Sequence, residues 1–167
     1  MFKVISIDPG KYKCGLILAE IGEKKVYEAI ILKSELLGDY VEDLDNIENI
    51  SKIIIGNGTT SKEIREKLYF FEKEIITFEE KNTTYRAKAR YFELFPISGL
   101  KFLLPREIFI LNKNLDAISA LIILEDYCKM KLTLNQNIKF KLEVVSLVDS
   151  KTVEPIVVEI NILKIPS

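Results

Sequence analysis

The sequence predicts an α/β fold: a mixed five-stranded sheet with helices on both faces, followed by a C-terminal β-hairpin. Three observations carry that expectation. The chain opens with three short apolar runs separated by turns, it then alternates apolar strands with helical periodicity, and after residue 130 it returns to strand-like alternation. At 167 residues it fits one unit over residues 1–130, with residues 131–167 as a hairpin extension packed on the same domain. That length buries a sizeable core without disulfide or metal staples.

The elements follow in order. Residues 2–8 and 14–20 are apolar stretches joined through Pro9-Gly10, and "KVYEAIILK" at 25–33 makes a third strand, so the opening reads as an antiparallel meander. Residues 35–49 are acidic, with Leu36, Leu37, Tyr40, Leu44 and Ile47 forming a weak helical stripe. "KIIIGNG" at 52–58 is an apolar strand ending in a glycine turn. Thr60 with Glu63 then reads as a capping box, and Ile64, Leu68 and Phe71 share a helix face.

"EIITFEE" at 74–80 is a strand that ends in carboxylates, and Thr83-Thr84 caps a helix bearing Tyr85, Ala89 and Phe92. Residues 96–113 form a loop punctuated by proline and glycine. "LDAISALIILEDY" at 115–127 is apolar on nearly every side and is therefore expected to be deeply buried. Segments 137–148 and 153–164, split near Thr152-Val153-Glu154-Pro155, complete the hairpin.

Composition excludes several chemistries. The chain contains no histidine, which removes imidazole bases, Ser-His-Asp triads and His-ligated zinc. Cys14 and Cys128 lie far apart and lack C-x-x-C spacing, so reduced thiols are expected. No apolar run reaches the roughly 18 to 20 residues of a membrane span, and the N-terminus lacks a leader pattern, so a cytoplasmic protein without membrane association is expected. The net charge of −1 gives no global argument for or against nucleic acid.

Function in sheets of this kind gathers at strand ends, and three acids occupy such places. Asp8 ends the first strand, Glu80 (with neighbour Glu79) ends the last core strand, and Asp116 opens the buried helix. Three converging carboxylates repel one another unless a divalent cation compensates, and hard oxygen donors suit Mg²⁺ or Mn²⁺. Two such ions can activate water and stabilise the leaving oxygen of a phosphodiester. Each acid also has a plainer reading: Asp8 as a turn residue, Glu80 and Asp116 as acids favoured at helix starts.

"IDPGKYKCGLILAE" at 7–20 resembles the first motif of the YqgF family, RNase H-fold proteins described as pre-16S rRNA nucleases or Holliday-junction resolvases. "EEKNTTYRAKARYF" at 79–92 resembles its second motif, and "LNKNLDAISALIILEDY" at 111–127 its third. The resemblance implies an RNase H-like sheet, with Asp8, Glu80 and Asp116 as catalytic metal ligands and Gly10, Asn82, Thr83, Thr84 and Lys113 at surrounding motif positions. Glu79 stands where the family usually has Asp and Lys81 where it usually has Arg. "GNGTTSK" replaces a longer loop, and the tail after about residue 131 has no counterpart.

Local charge fits a nucleic-acid partner. Residues 81–113 hold Lys81, Arg86, Lys88, Arg90, Lys101, Arg106 and Lys113 against Glu93 and Glu107, and such cations give sequence-independent, salt-sensitive affinity. Lys11 and Lys13 flank the turn after Asp8, Lys113 is a candidate for stabilising transition-state charge, and Ser119 shares a helix side with Asp116. Tyr85, Tyr91 and Phe92 are either core residues or stacking platforms.

The expected function is a metal-dependent endonuclease on RNA or branched DNA, working as a monomer or a homodimer. One alternative is a catalytically inactive RNase H-fold module that binds nucleic acid or protein. A sugar-kinase or actin-like ATPase also begins with Asp-x-Gly, but it needs two such domains.

Overall fold

In a computed structural model, which describes residues 2–79, 81–97, 105 and 115–145, the chain forms one mixed sheet with helices on both faces. Strands β1 (Lys3–Asp8), β2 (Lys13–Glu20) and β3 (Lys25–Lys33) make an antiparallel meander. A 3₁₀ turn at Ser34–Leu36 leads into α1 (Leu37–Ile47) and then β4 (Ile50–Gly56), which pairs parallel with β1. After α2 (Ser61–Lys67), β5 (Glu74–Phe78) pairs parallel with β4. Helices α3 (Thr83–Leu94) and α4 (Asp116–Cys128) precede β6 (Thr133–Val145).

The strand order is β5-β4-β1-β2-β3-β6, a mixed six-stranded sheet. The sheet has six strands where the sequence reading expected five. The first arm of the expected hairpin starts earlier than anticipated and joins the main sheet, parallel to β3. The expected second arm and its turn lie outside the described residues, as does most of the 96–113 loop.

Strand alternation divides the apolar residues between two cores. Ile5 and Ile7 of β1, Leu16 and Leu18 of β2, and Ile53 and Ile55 of β4 face α1 and α2, where they meet Leu37, Val41, Ile64 and Phe71. Val4, Ile17, Ala29, Ile31 and Ile54 face the other way, onto Ala117, Ala120, Leu121 and Leu124 of α4. Helix α3 covers the back of α4 through Ala87 and Tyr91 against Ile118 and Ile122. With the sheet on one side and a helix on the other, α4 has nine consecutive buried residues, Ala117 to Glu125, which is why its sequence shows almost no polar face.

Two helix starts differ from expectation. The Thr60–Glu63 capping box does not form: Thr60 stands at the N-cap with φ −100° and ψ 5° and makes no side-chain cap bond, whereas a capping hydroxyl needs an extended backbone to reach the third amide. For α3 the cap position falls on Asn82, in the left-handed region at φ 54°, and Thr83 is already inside the helix and buried. No helix among the described residues is long and apolar enough to cross a membrane.

Candidate functional site

The register of β1 on α4 places Asp8 and Asp116 at the same end of the sheet. Ser6, on the α4 face of β1, donates its hydroxyl proton to the Ala120 carbonyl over 2.8 Å. Two residues further along β1, about 7 Å, is Asp8. Four residues back along α4, about 6 Å, is Asp116. The two steps match because α4 runs antiparallel to β1, so both acids arrive at the same sheet edge, and both are half-buried.

Gly15 lies between their backbones. It lies opposite Asp8 in the β1–β2 pairing, and a Cβ on it would fall 2.0 Å from the Asp116 carbonyl oxygen. The glycine therefore admits the first turn of α4, whereas a gap for a neighbouring strand is the more usual reading of a glycine at this place. Lys13, two residues earlier on the same face of β2, puts its Nζ 2.8 Å from Asp116 Oδ2. That oxygen is sealed from solvent, and among the described residues it has no hydrogen-bond partner; the lysine contact is electrostatic, not a well-directed bond.

The turn between β1 and β2 is clamped from the opposite face. Gly10 is needed there because a Cβ would lie 2.1 Å from the Lys13 carbonyl oxygen. Ser34 donates its amide to the Tyr12 carbonyl at 3.0 Å and its hydroxyl to the Gly10 carbonyl at 2.7 Å. Lys67 of α2 donates to the Ser34 carbonyl. Cys14 lies 3.2 Å from Ser34 Oγ, and burial pushes its thiol pKa up, so it stays protonated and packed. Both cysteines are free thiols.

A concavity of about 390 Å³ opens beside this turn, lined by Gly10, Lys11, Tyr12, Lys13 and Asp116. Tyr12 is the feature that sequence reasoning missed. Its side chain is 78% exposed, with Lys11 Nζ 5.4 Å from the ring centroid. A single aromatic residue in a lysine-flanked turn carries no periodic signal, and its position beside Asp116 depends on tertiary structure.

The other expected residues scatter. Glu80 and Lys113 lie outside the described residues, and Glu79 is exposed after β5. Lys81 and Lys88 are exposed on α3 and its approach. Arg86 makes a two-pronged ion pair with Asp126 at 2.6 and 2.7 Å. Asp126 is ten positions along α4 from Asp116, about 15 Å of helix, so Arg86 is held at the far end from the two acids. Arg90, expected as a nucleic-acid contact, is buried and donates to Glu125, to Glu93 and to the Leu132 carbonyl. Tyr91 and Phe92 stack edge-to-face beside α4, which assigns them to the core, and Ser119 is buried within α4.

The donors at this end of the sheet are hard carboxylate oxygens, one of them buried without a hydrogen bond, and such oxygens suit Mg²⁺ or Mn²⁺. The fit is partial. Among the described residues no three acidic or thiol side chains gather around a common point, and Lys13 already supplies one positive charge.

No protein-family model and no curated protein matches the chain. Among solved structures it is similar to RuvC of T. thermophilus in complex with a Holliday junction substrate, at 9% identity and a TM-score of 0.45, over 77% of this chain and 96% of that one. It is also similar to the Aquifex aeolicus Ppx/GppA phosphatase, type II variant, at 19% identity and a TM-score of 0.32, over 56% of this chain and 42% of that one.

Proposed function

We propose that the protein is a metal-dependent endonuclease acting on RNA or branched DNA, with its reacting edge where β1 ends against the start of α4. One observation carries the reading: a strand-end aspartate and a helix-start aspartate placed on either side of Gly15, the second with a buried oxygen lacking a hydrogen bond, beside a turn that bears Lys11 and Lys13. Lys13 offsets the charge on that oxygen in part, and a cation bound between the acids would complete the compensation of two carboxylates.

In this proposal Asp8 and Asp116, with Glu80 as the third ligand expected from the motif resemblance, hold Mg²⁺ or Mn²⁺. The bound ion supplies Lewis acidity toward water and the departing oxygen. The chain's own groups do the rest. Lys11 and Lys13 attract the phosphate backbone, while Ser34 and Gly10 fix the turn that carries them. The motif resemblance to the YqgF family extends the proposal to pre-16S rRNA processing or junction resolution in the cytoplasm, as a monomer or homodimer.

A second reading follows from the Lys13–Asp116 ion pair. That pair neutralises Asp116 without any metal, as a catalytically inactive binding module would require. Cleavage of labelled single-stranded RNA, duplex RNA and four-way DNA junctions, with Mn²⁺, Mg²⁺ or EDTA, separates the two readings. Metal-dependent cutting that Asp8→Asn abolishes supports the nuclease. Binding without cutting by folded wild-type protein selects the module.

A further inference from the structure

We infer that Tyr12 is a stacking platform for an unpaired base, which narrows the substrate class to nucleic acid with an unstacked nucleotide at the reacting edge; the inference rests on the nucleic-acid reading above. Of the exposed aromatic side chains, Tyr69 packs edge-on against Phe70 and Tyr85 stands on α3. Among the described residues, Tyr12 is the aromatic side chain that lines the concavity containing Asp116.

Three features suit it to that task. The ring is 78% exposed, and Lys11 Nζ stands over it at 5.4 Å from the centroid, which leaves the opposite face to a ligand. The ring is also carried on a fixed backbone: the Tyr12 carbonyl accepts the Ser34 amide, the Gly10 carbonyl accepts the Ser34 hydroxyl, and Lys67 ties Ser34 to α2. A platform held this way loses little freedom when a base settles on it. Finally, Lys11 and Lys13 stand on either side in sequence, so the phosphates flanking a stacked base have cations within reach, the combination that single-strand binding uses.

Intact duplex hides its base faces in its own stack, so the ring contributes nothing to duplex binding. Lys13 and Lys11 act on any phosphate backbone, duplex or single-stranded. The inference therefore separates two parts of one turn, the lysines giving general affinity and the tyrosine giving preference for unpaired nucleotides.

The test is fluorescence-anisotropy binding in EDTA at fixed salt, so that nothing is cut. The probes are oligothymidine, an oligomer of the same length with abasic sugars, and a blunt duplex. The proteins are the full chain and its variants Tyr12→Phe and Tyr12→Ala. Tyr12→Ala is expected to weaken oligothymidine binding by about five-fold to about a hundred-fold. Tyr12→Phe should keep the wild-type affinity, and neither variant should change duplex or abasic binding. Equal affinity of the wild type for thymidine and abasic strands, or equal losses on all three probes in Tyr12→Ala, would overturn the platform and leave the nuclease reading standing. Failure of the wild type to bind any probe would overturn both.

Discussion

The two ends of α4 carry ionic clusters built from the same kinds of residue, and they are in opposite states. At the C-terminal end, buried Arg90 gives Nε and Nη2 to the two Glu125 oxygens, Nη1 to Glu93 and a further bond to the Leu132 carbonyl. Glu125 in turn accepts the Leu132 amide, and Lys131 reaches Glu93 at 3.1 Å. Donors and acceptors are matched. At the N-terminal end, two carboxylates share one edge, an Asp116 oxygen is buried without a hydrogen bond, and a half-exposed lysine provides the compensating charge. A saturated cluster holds elements together, whereas an unsaturated one has capacity for something else, and the proposed chemistry rests on that difference between the two ends.

The sharpest way to break that contrast is to remove a partner from the saturated end. Arg90→Met is expected to cost about 3–5 kcal/mol of stability, because it leaves Glu125 buried and uncompensated. Urea unfolding measures the loss, and cleavage per folded molecule should not change. At the other end the expectation inverts. Asp116→Asn should change unfolding free energy by less than about 1 kcal/mol, since it removes one of two neighbouring like charges along with a partly exposed ion pair. It should cost at least about a hundred-fold in cleavage rate, roughly 2.7 kcal/mol of barrier. A variant that loses stability and keeps its rate would reassign Asp116 to architecture.

Gly15→Ala tests the close packing between the acids. Its Cβ would meet the Asp116 backbone, which cannot swing aside as a side chain would, so about 1–3 kcal/mol of destabilisation is expected, with a loss of cleavage larger than unfolding explains. The smallest effect belongs to Glu93. Hydrogen bonding from Lys131 holds its carboxyl below the ordinary value of 4.5, against a weaker opposing effect of burial. A depressed carboxylate stabilises the fold above its unfolded pKa, and that contribution disappears as pH falls through the lowered value. Lys131→Gln should therefore flatten the acid limb of a stability-against-pH curve slightly, slightly because the pair is largely exposed.

Much of this architecture was legible in the sequence because its signals are local. Period-two alternation in β1 to β3, the Pro9-Gly10 turn and the uniformly apolar α4 each declare themselves within a short window. Asp8 and Asp116 were legible as strand-end and helix-start acids. What stayed hidden depends on partners far along the chain. Arg90 reads as one more cation in a basic stretch until Glu125 is folded against it. Gly15 announces close packing without naming the neighbour, and the neighbour is the start of α4. The pairing of β6 with β3 is likewise a choice of register and edge that no local pattern encodes. Thr60 has the residue types of a capping box but lacks the backbone angles to make one.

The Ser6–Ala120 contact joins positions 114 apart, and this has a consequence for synthesis. Asp8 is synthesised before α3 and Asp116 only after it, so a nascent chain carries Asp8 without Asp116 until α4 is made. From Ala117 to Glu125 helix α4 is buried between the sheet and α3, so its apolar surface is fully covered only when both contact it. Assembly of the edge is thus tied to the docking of α4, and a chain that ends before α4 would present Asp8 without Asp116. If the edge cuts nucleic acid, that ordering keeps a growing polypeptide inert beside the RNA-rich machine that makes it.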